Sequence, residues 1–261
     1  MVDASPVYIQ DIQSMVWEAI RKTINKFREN PYYFFTESDL VTYTCQSLYS
    51  GKLEVVHDNR RIYCVHREYP TNFRYDRDHL LDAGYEPYHL QERRGTRGNF
   101  DLVVLNPEFV RNPVRSIDDI VNKNVRDLES RTDSAADELL FAIEFKYIIN
   151  SSRTFEHEVR KDNVRLKFAL QNGAIAAINL VFCNTDAKYR DDFREAALSA
   201  NPKVTSIFVM SYYEGDTKKT PVPETNSADS TIRKLIGAKP QHPDQSEAER
   251  ASSSNFLAHG I

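Results

Sequence analysis

Three charged residues stand in places where an apolar strand would normally exclude them. They lie in Asn99-Phe100-Asp101-Leu102-Val103-Val104-Leu105 and in Leu140-Phe141-Ala142-Ile143-Glu144-Phe145-Lys146-Tyr147. Both runs are apolar and β-branched almost throughout, the pattern of buried strands. A carboxylate or ammonium in such a strand is costly unless it is paired or binds a metal. Side chains alternate between the faces of a strand, so Glu144 and Lys146 share one side while Phe145 takes the other. If the two strands are neighbours, Asp101 meets that pair. Asp plus Glu-x-Lys is then a set of hard oxygen ligands for a divalent cation with a positive charge beside it. The cation would be Mg²⁺ or Mn²⁺, with waters filling the remaining positions. Such a site activates a bound water and offsets charge on a phosphate, while the lysine orients the water or stabilises the transition state.

The pattern Asp101 … Glu144-Phe145-Lys146 resembles the active-site signature of the PD-(D/E)XK nuclease superfamily, the restriction-endonuclease-like fold. The likeness covers about residues 9–213: an N-terminal helical region, a strand near Arg61–Glu68, a basic turn (Arg97-Gly98-Asn99-Phe100) before Asp101, the Glu-x-Lys strand, and a helix after it. Asn99-Phe100 stands where many members have a proline before the aspartate. The resemblance implies a three-layer α/β/α sandwich around a central mixed sheet, with Asp101 and Glu144 as metal ligands and Lys146 as catalytic helper. It implies a metal-dependent nuclease acting on DNA in preference to RNA. It also implies a candidate role for Glu37, because the family often contributes a glutamate from an N-terminal helix.

Read from the residues alone, Glu37 falls on the same helical side as Leu40, Val41, Thr44 and Leu48, although an acid in a first helical turn is also favoured by the helix dipole. Glu68 could serve the same purpose from the first strand, or be a solvated strand end before Pro70. Asp162 lies on the apolar side of its helix, between Val159 and Leu166, and reads as a residue that pairs with a basic neighbour. Arg165 and Lys167 on that helix are candidate phosphate contacts, although a solvated basic helix face is the commoner explanation; Arg93, Arg94 and Arg97, in a loop with Gly95 and Gly98, are candidates too, and a plain flexible charged loop explains them equally. Tyr32-Tyr33-Phe34-Phe35 reads as core packing at a helix junction rather than as a base-stacking surface. The histidines and cysteines lack zinc-ligand spacing. Neither a P-loop nor a G-x-S-x-G elbow is present.

The elements that must position these residues follow from periodicity. Ile12, Met15, Val16, Ala19, Thr23 and Phe27 recur at helical spacing up to Pro31. A second helix begins near Thr36, where Asp39 three residues on completes a variant capping box, and Gly51 closes it. Strands are expected at Leu53–Val56, Arg61–Tyr69, Ala176–Cys183 and Val204–Tyr212, and helices at Phe155–Gln171 and Asp191–Ser199. Residues 108–138 read as a polar, partly helical insertion.

The chain has 261 residues, 41% of them hydrophobic, and a formal net charge of −4. That is enough for one sizeable core, so residues 1–213 are expected to form the nuclease-like domain. Residues 214–261, rich in Pro, Ser, Thr and charge, are expected to form a disordered tail. A mildly acidic chain does not advertise a nucleic-acid binder, which keeps open a protein-interaction module on the same fold; a non-cutting nucleic-acid-binding module is the other alternative, and the intact Asp/Glu/Lys set argues against it. A homodimer is equally open. Three scattered cysteines, no apolar run of membrane-spanning length and no leader-like start give the expectation of a reduced, cytoplasmic protein without membrane contact.

Overall fold

The computed structural model describes residues 6–49, 53–57, 59–71, 73–89, 92, 94–111, 139–149, 154–184, 189–199, 201–211 and 222–237. The helices are α1 (Pro6–Glu29), α2 (Glu37–Leu48), the short α3 (Pro107–Arg111), α4 (Thr154–Gln171), α5 (Arg190–Leu198) and α6 (Ser230–Ile236). The strands are β1 (Glu54–His57), β2 (Arg60–Tyr63), β3 (Val65–Pro70), β4 (Phe73–Arg74), β5 (Tyr88–His89), β6 (Asn99–Leu105), β7 (Leu139–Ile148), β8 (Ala176–Cys183), β9 (Thr205–Met210) and β10 (Glu224–Thr225). Most of the expected insertion, residues 112–138, lies outside the described residues, as does Arg93.

A six-stranded mixed sheet in the order β10-β9-β8-β7-β6-β3 forms the centre. Strands β7, β8 and β9 run parallel, joined through α4 and α5; β3, β6 and β10 pair antiparallel with their neighbours. Helices cover both faces, an arrangement compatible with the expected three layers. On one face, Ile12, Val16, Ile20, Ile24 and Phe27 of α1 and Leu40, Val41 and Leu48 of α2 pack on Phe141, Ile143, Phe145 and Tyr147 of β7. Their spacing of three and four residues makes each helix one apolar stripe. On the other face, Leu166, Phe168 and Ala169 of α4 meet Val103, Leu105 and Ala142, and Val159 joins Phe193, Ala196 and Ala197 of α5.

Two expectations change. The single strand expected at Arg61–Tyr69 is two strands in two sheets. β2 turns back on β1 as a hairpin, with Asn59 at φ +60° in its turn, and β3 enters the main sheet. Cys64 joins them: its N–H donates to the Leu53 carbonyl (2.8 Å), and its own carbonyl accepts from Leu105 N (2.7 Å). The second correction concerns the expected disordered tail. Residues 222–237 belong to the folded domain, because Glu224–Thr225 extend the sheet edge beside β9 and Ile236 of α6 is buried in the α1 core. The short apolar run of α6 was diluted by its polar surroundings. Residues 238–261 lie outside the described residues.

Candidate active site

The sheet opens where the charged residues sit. The β6–β7 ladder is regular from Val104↔Phe141 to Leu102↔Ile143 and stops there. One step further, the same register brings Asp101 opposite Glu144. There the Phe145 N–H donates to Asp101 Oδ2 at 2.7 Å. The β3–β6 ladder is interrupted at the same level: Arg67 pairs with Leu102 and Tyr69 with Phe100, but Glu68 does not pair with Asp101. Glu68 takes φ +51°, a conformation uncommon for a residue with a Cβ. It is exposed, and the structure does not place it in the cluster.

Four carboxyl groups and two cations meet at this opening. Lys146 Nζ lies 3.2 Å from Asp162 Oδ2 and 3.3 Å from Glu37 Oε2. Arg165 Nη2 lies 3.0 Å from Glu144 Oε1 and donates to Asp162 Oδ1 at 2.6 Å. Glu37 Oε2 also accepts from the Tyr147 N–H at 3.3 Å. The cluster thus draws Glu37 from the first turn of α2, Asp101 from β6, Glu144 and Lys146 from β7, and Asp162 and Arg165 from α4. Position 37 reaches the strand because α2 starts there. Thr36 is its N-cap, with the Asp39 N–H donating to Thr36 Oγ1 and the Phe35 and Thr36 N–H groups donating to Asp39 Oδ2. Burial is graded: the Glu144 side chain is 0% exposed, Asp162 3%, Lys146 15%, Arg165 17% and Glu37 36%. The cluster therefore faces solvent at the N-terminus of α2.

The electrostatics follow from that geometry. Burial raises the Asp101 carboxyl above its ordinary range, against the Phe145 N–H and Lys146, which favour its charge. Burial raises Glu144 well above its ordinary value; Arg165 works against this, while Asp101 and Asp162 add to it. Burial pushes Glu37 to about 7, opposed by Lys146 and reinforced by Asp101 and Asp162. Burial disfavours both cations too, but the surrounding carboxylates outweigh it and raise Lys146 and Arg165. If all six groups are charged, four carboxylates face two cations, an excess of two negative charges in a buried place. Ionised Asp101 and Glu144 are acceptors only; with one proton between them they share a hydrogen bond. Both buried Glu144 oxygens lack a hydrogen-bond donor in good geometry, although Arg165 is at ion-pair distance.

These features fit a divalent cation at Asp101 and Glu144: hard oxygen donors, Glu144 oxygens without a hydrogen-bond donor, and more carboxyl groups than cations. Among the described residues, no three His, Cys, Asp or Glu side chains stand together in ligating geometry. Two carboxylates with waters are the most that this arrangement offers.

The expected phosphate contacts are differently employed. Arg165 is a partner of Glu144 and Asp162 and also donates to the Asn99 carbonyl (3.3 Å). Arg94 pairs with Glu92 and lies over the Tyr88 ring. Arg97 Nε donates to the Thr71 carbonyl (2.8 Å), fixing the turn before β6. Lys167 is half-buried with its ammonium over Phe168. The glycines beside these arginines answer to Tyr75. Gly95 takes φ +70°, and a Cβ there would come 2.7 Å from the Tyr75 carbonyl oxygen; one at Gly98 would come 2.5 Å from the Tyr75 hydroxyl.

Sequence reasoning missed Asn179 and Asn163. Asn179 is the β8 neighbour of Glu144, and its Nδ2 donates to Asn163 Oδ1 (2.6 Å), whose own Nδ2 donates to the Ala196 carbonyl (2.9 Å). This buried chain ties β8, α4 and α5 together beside Asp162. Its signal was one amide inside the apolar run Ala176–Cys183. The aromatic run is a correction as well: only Phe34 is buried, while Tyr32, Tyr33 and Phe35 are exposed.

No family model, curated protein or solved structure matches this chain.

Proposed function

We propose that the protein is a metal-dependent nuclease that hydrolyses phosphodiester bonds, of DNA in preference to RNA, on a restriction-endonuclease-like fold. One observation carries the reading: Asp101, Glu144 and Lys146, from two adjacent strands, meet with Glu37 at a break in the sheet, in a cluster of four carboxyl groups and two cations. A bound Mg²⁺ or Mn²⁺ would supply an activated water and offset charge on the phosphate. Asp101 and Glu144 would hold it. Lys146, kept charged by Asp162 and Glu37, would orient the attacking water and stabilise the charge that develops on the scissile phosphate. Asp162 and Arg165 would hold Lys146 and Glu144 in place.

A second reading, a module that binds nucleic acid without cutting it, rests on Arg165. Its guanidinium beside Glu144 supplies part of the positive charge that a metal would otherwise bring. One experiment separates the two. Pure protein is incubated with single- and double-stranded DNA and RNA in Mg²⁺, Mn²⁺ or chelator, alongside Asp101→Asn. The nuclease reading expects metal-dependent cutting that Asp101→Asn abolishes, with excess Mn²⁺ restoring at most part. Binding without cutting under every condition supports the second reading.

A further inference from the structure

An exposed aromatic surface lies beside the cluster. Tyr32, Tyr33 and Phe35 are 67%, 50% and 75% exposed, unusual for three large aromatics within four residues. Their backbone is held firmly. Tyr32 and Tyr33 lie in a 3-10 turn, Pro31–Tyr33. The Phe34 carbonyl accepts from the Tyr147 hydroxyl (3.0 Å), and the Phe35 N–H donates to Asp39 Oδ2 (2.9 Å). Tyr33 stands edge-on to Phe34 and Tyr43, with Lys26 Nζ 4.5 Å from its ring centroid. Only Thr36 separates Phe35 from Glu37, the most exposed member of the cluster. On the same helix end, Arg67 Nη2 donates to Ser38 Oγ at 2.7 Å.

We propose that Tyr32, Tyr33 and Phe35 form a stacking platform for unpaired bases of a nucleic-acid strand whose backbone enters the carboxylate cluster at the α2 N-terminus. The proposal rests on the nuclease reading and names its substrate class: single-stranded or locally unpaired nucleic acid. Three arguments favour this occupant. Aromatic faces bind base faces, and a duplex keeps its base faces stacked inside. Among the described residues, Arg94, Arg97 and Arg165, expected to contact phosphates, are engaged by Glu92, Thr71, Glu144 and Asp162, and the chain is acidic overall, so affinity has a source to find besides these arginines. Stacking supplies it, and Lys26 over the Tyr33 ring and Arg67 beside Ser38 at the same helix end add positive charge.

The test is fluorescence anisotropy of a labelled oligo-dT and of a hairpin duplex, in chelator so that nothing is cut. Wild type is compared with Tyr32→Ala, Phe35→Ala and Phe35→Trp, with melting temperature and sedimentation recorded for each. Oligo-dT should bind more tightly than duplex. Each alanine change should weaken oligo-dT binding about tenfold, in keeping with one lost base stack, and Phe35→Trp should hold affinity near wild type. Equal oligo-dT binding by wild type and Phe35→Ala overturns the platform while leaving metal-dependent cutting to stand on its own. A wild-type dimer that these variants dissociate makes the patch a self-interface and overturns it too. A protein that neither binds nor cuts any nucleic acid sinks both readings. An alanine variant that binds weakly only because its melting temperature has collapsed is set aside in favour of Phe35→Leu, which keeps the apolar bulk and removes the ring. Oligo-dT binding by Phe35→Leu as tight as wild type likewise overturns the platform.

Discussion

Lys146 is the residue on which catalysis and mere ion pairing part company. Its ammonium is held between Asp162 and Glu37, so Lys146→Ala removes a charge from the reacting region and leaves Asp101 and Glu144 intact. Metal binding should be equal or tighter, since a nearby positive charge is gone. Single-turnover cleavage should fall by about 10² or more, the scale of deleting one transition-state-stabilising group. Calorimetric metal titration and quench kinetics read the two effects separately. Wild-type speed with wild-type metal affinity would reduce Lys146 to a structural partner of the carboxylates. Glu37 gives a pH test. Its carboxyl is raised from an ordinary 4.5 to about 7 in the folded state, so the folded protein holds a proton there that the unfolded chain has released. The stabilising contribution is complete below about 4.5 and is lost as pH rises through about 7. Glu37→Gln abolishes this titration, so its stability should change less with pH between about 4.5 and 7 than that of wild type. Melting temperatures across that range check it; parallel curves for the two proteins would mean that Glu37 titrates normally.

At the scale of the element, α2 carries the one member of the carboxylate–cation cluster that does not come from the sheet or α4. Its start is fixed by the Thr36–Asp39 capping box. Thr36→Ala removes the side-chain acceptor of the Asp39 N–H and should cost about 1 kcal/mol. The same change loosens the turn that brings Glu37 to Lys146 and Tyr147. Chemical denaturation gives the stability loss, and cutting should decline further than the fraction unfolded explains. Activity that tracks only the folded population would limit the cap to stability. Much of this scale was legible in the sequence, since the apolar stripes of α1 and α2 and the apolar runs of β6, β7 and β8 follow from local periodicity. The same patterns placed charges inside two apolar strands, and the structure makes those strands neighbours. What they could not reveal depends on distant contacts: the sheet break at Glu68 and Asp101, the capture of Arg165 by Glu144, and the Asn163–Asn179 chain. The Tyr32–Phe35 run misled because aromatic residues imply burial on average, whereas a 3-10 turn splays neighbouring side chains in different directions.

At the scale of the whole molecule, the question is where the folded unit ends. Composition placed the boundary near Glu214, because the sequence beyond it is polar. The structure continues to Gly237, and its contacts are of the kind that stabilise. Arg194 donates to both carboxylate oxygens of Glu224. Asn226 accepts from Ser206 N–H at 2.8 Å and donates to the Val204 carbonyl at 2.9 Å, closing the edge of the sheet. Asp229 caps α6 through the Thr231 N–H, and Gly237 at φ +66° ends it with its N–H toward the last turn. Ile236, 2% exposed, seats that helix on the α1 face. Deleting everything after Glu214 therefore exposes the β9 edge and part of the α1 face, and the shortened protein should melt at lower temperature or precipitate. Ile236→Ala in the full chain should reproduce part of that loss, about 2–5 kcal/mol for a large aliphatic side chain cut from a core. Urea unfolding of the two proteins and wild type measures both. An unaltered midpoint for each would place the boundary at Glu214 after all and make β10 and α6 an ornament on a domain complete without them.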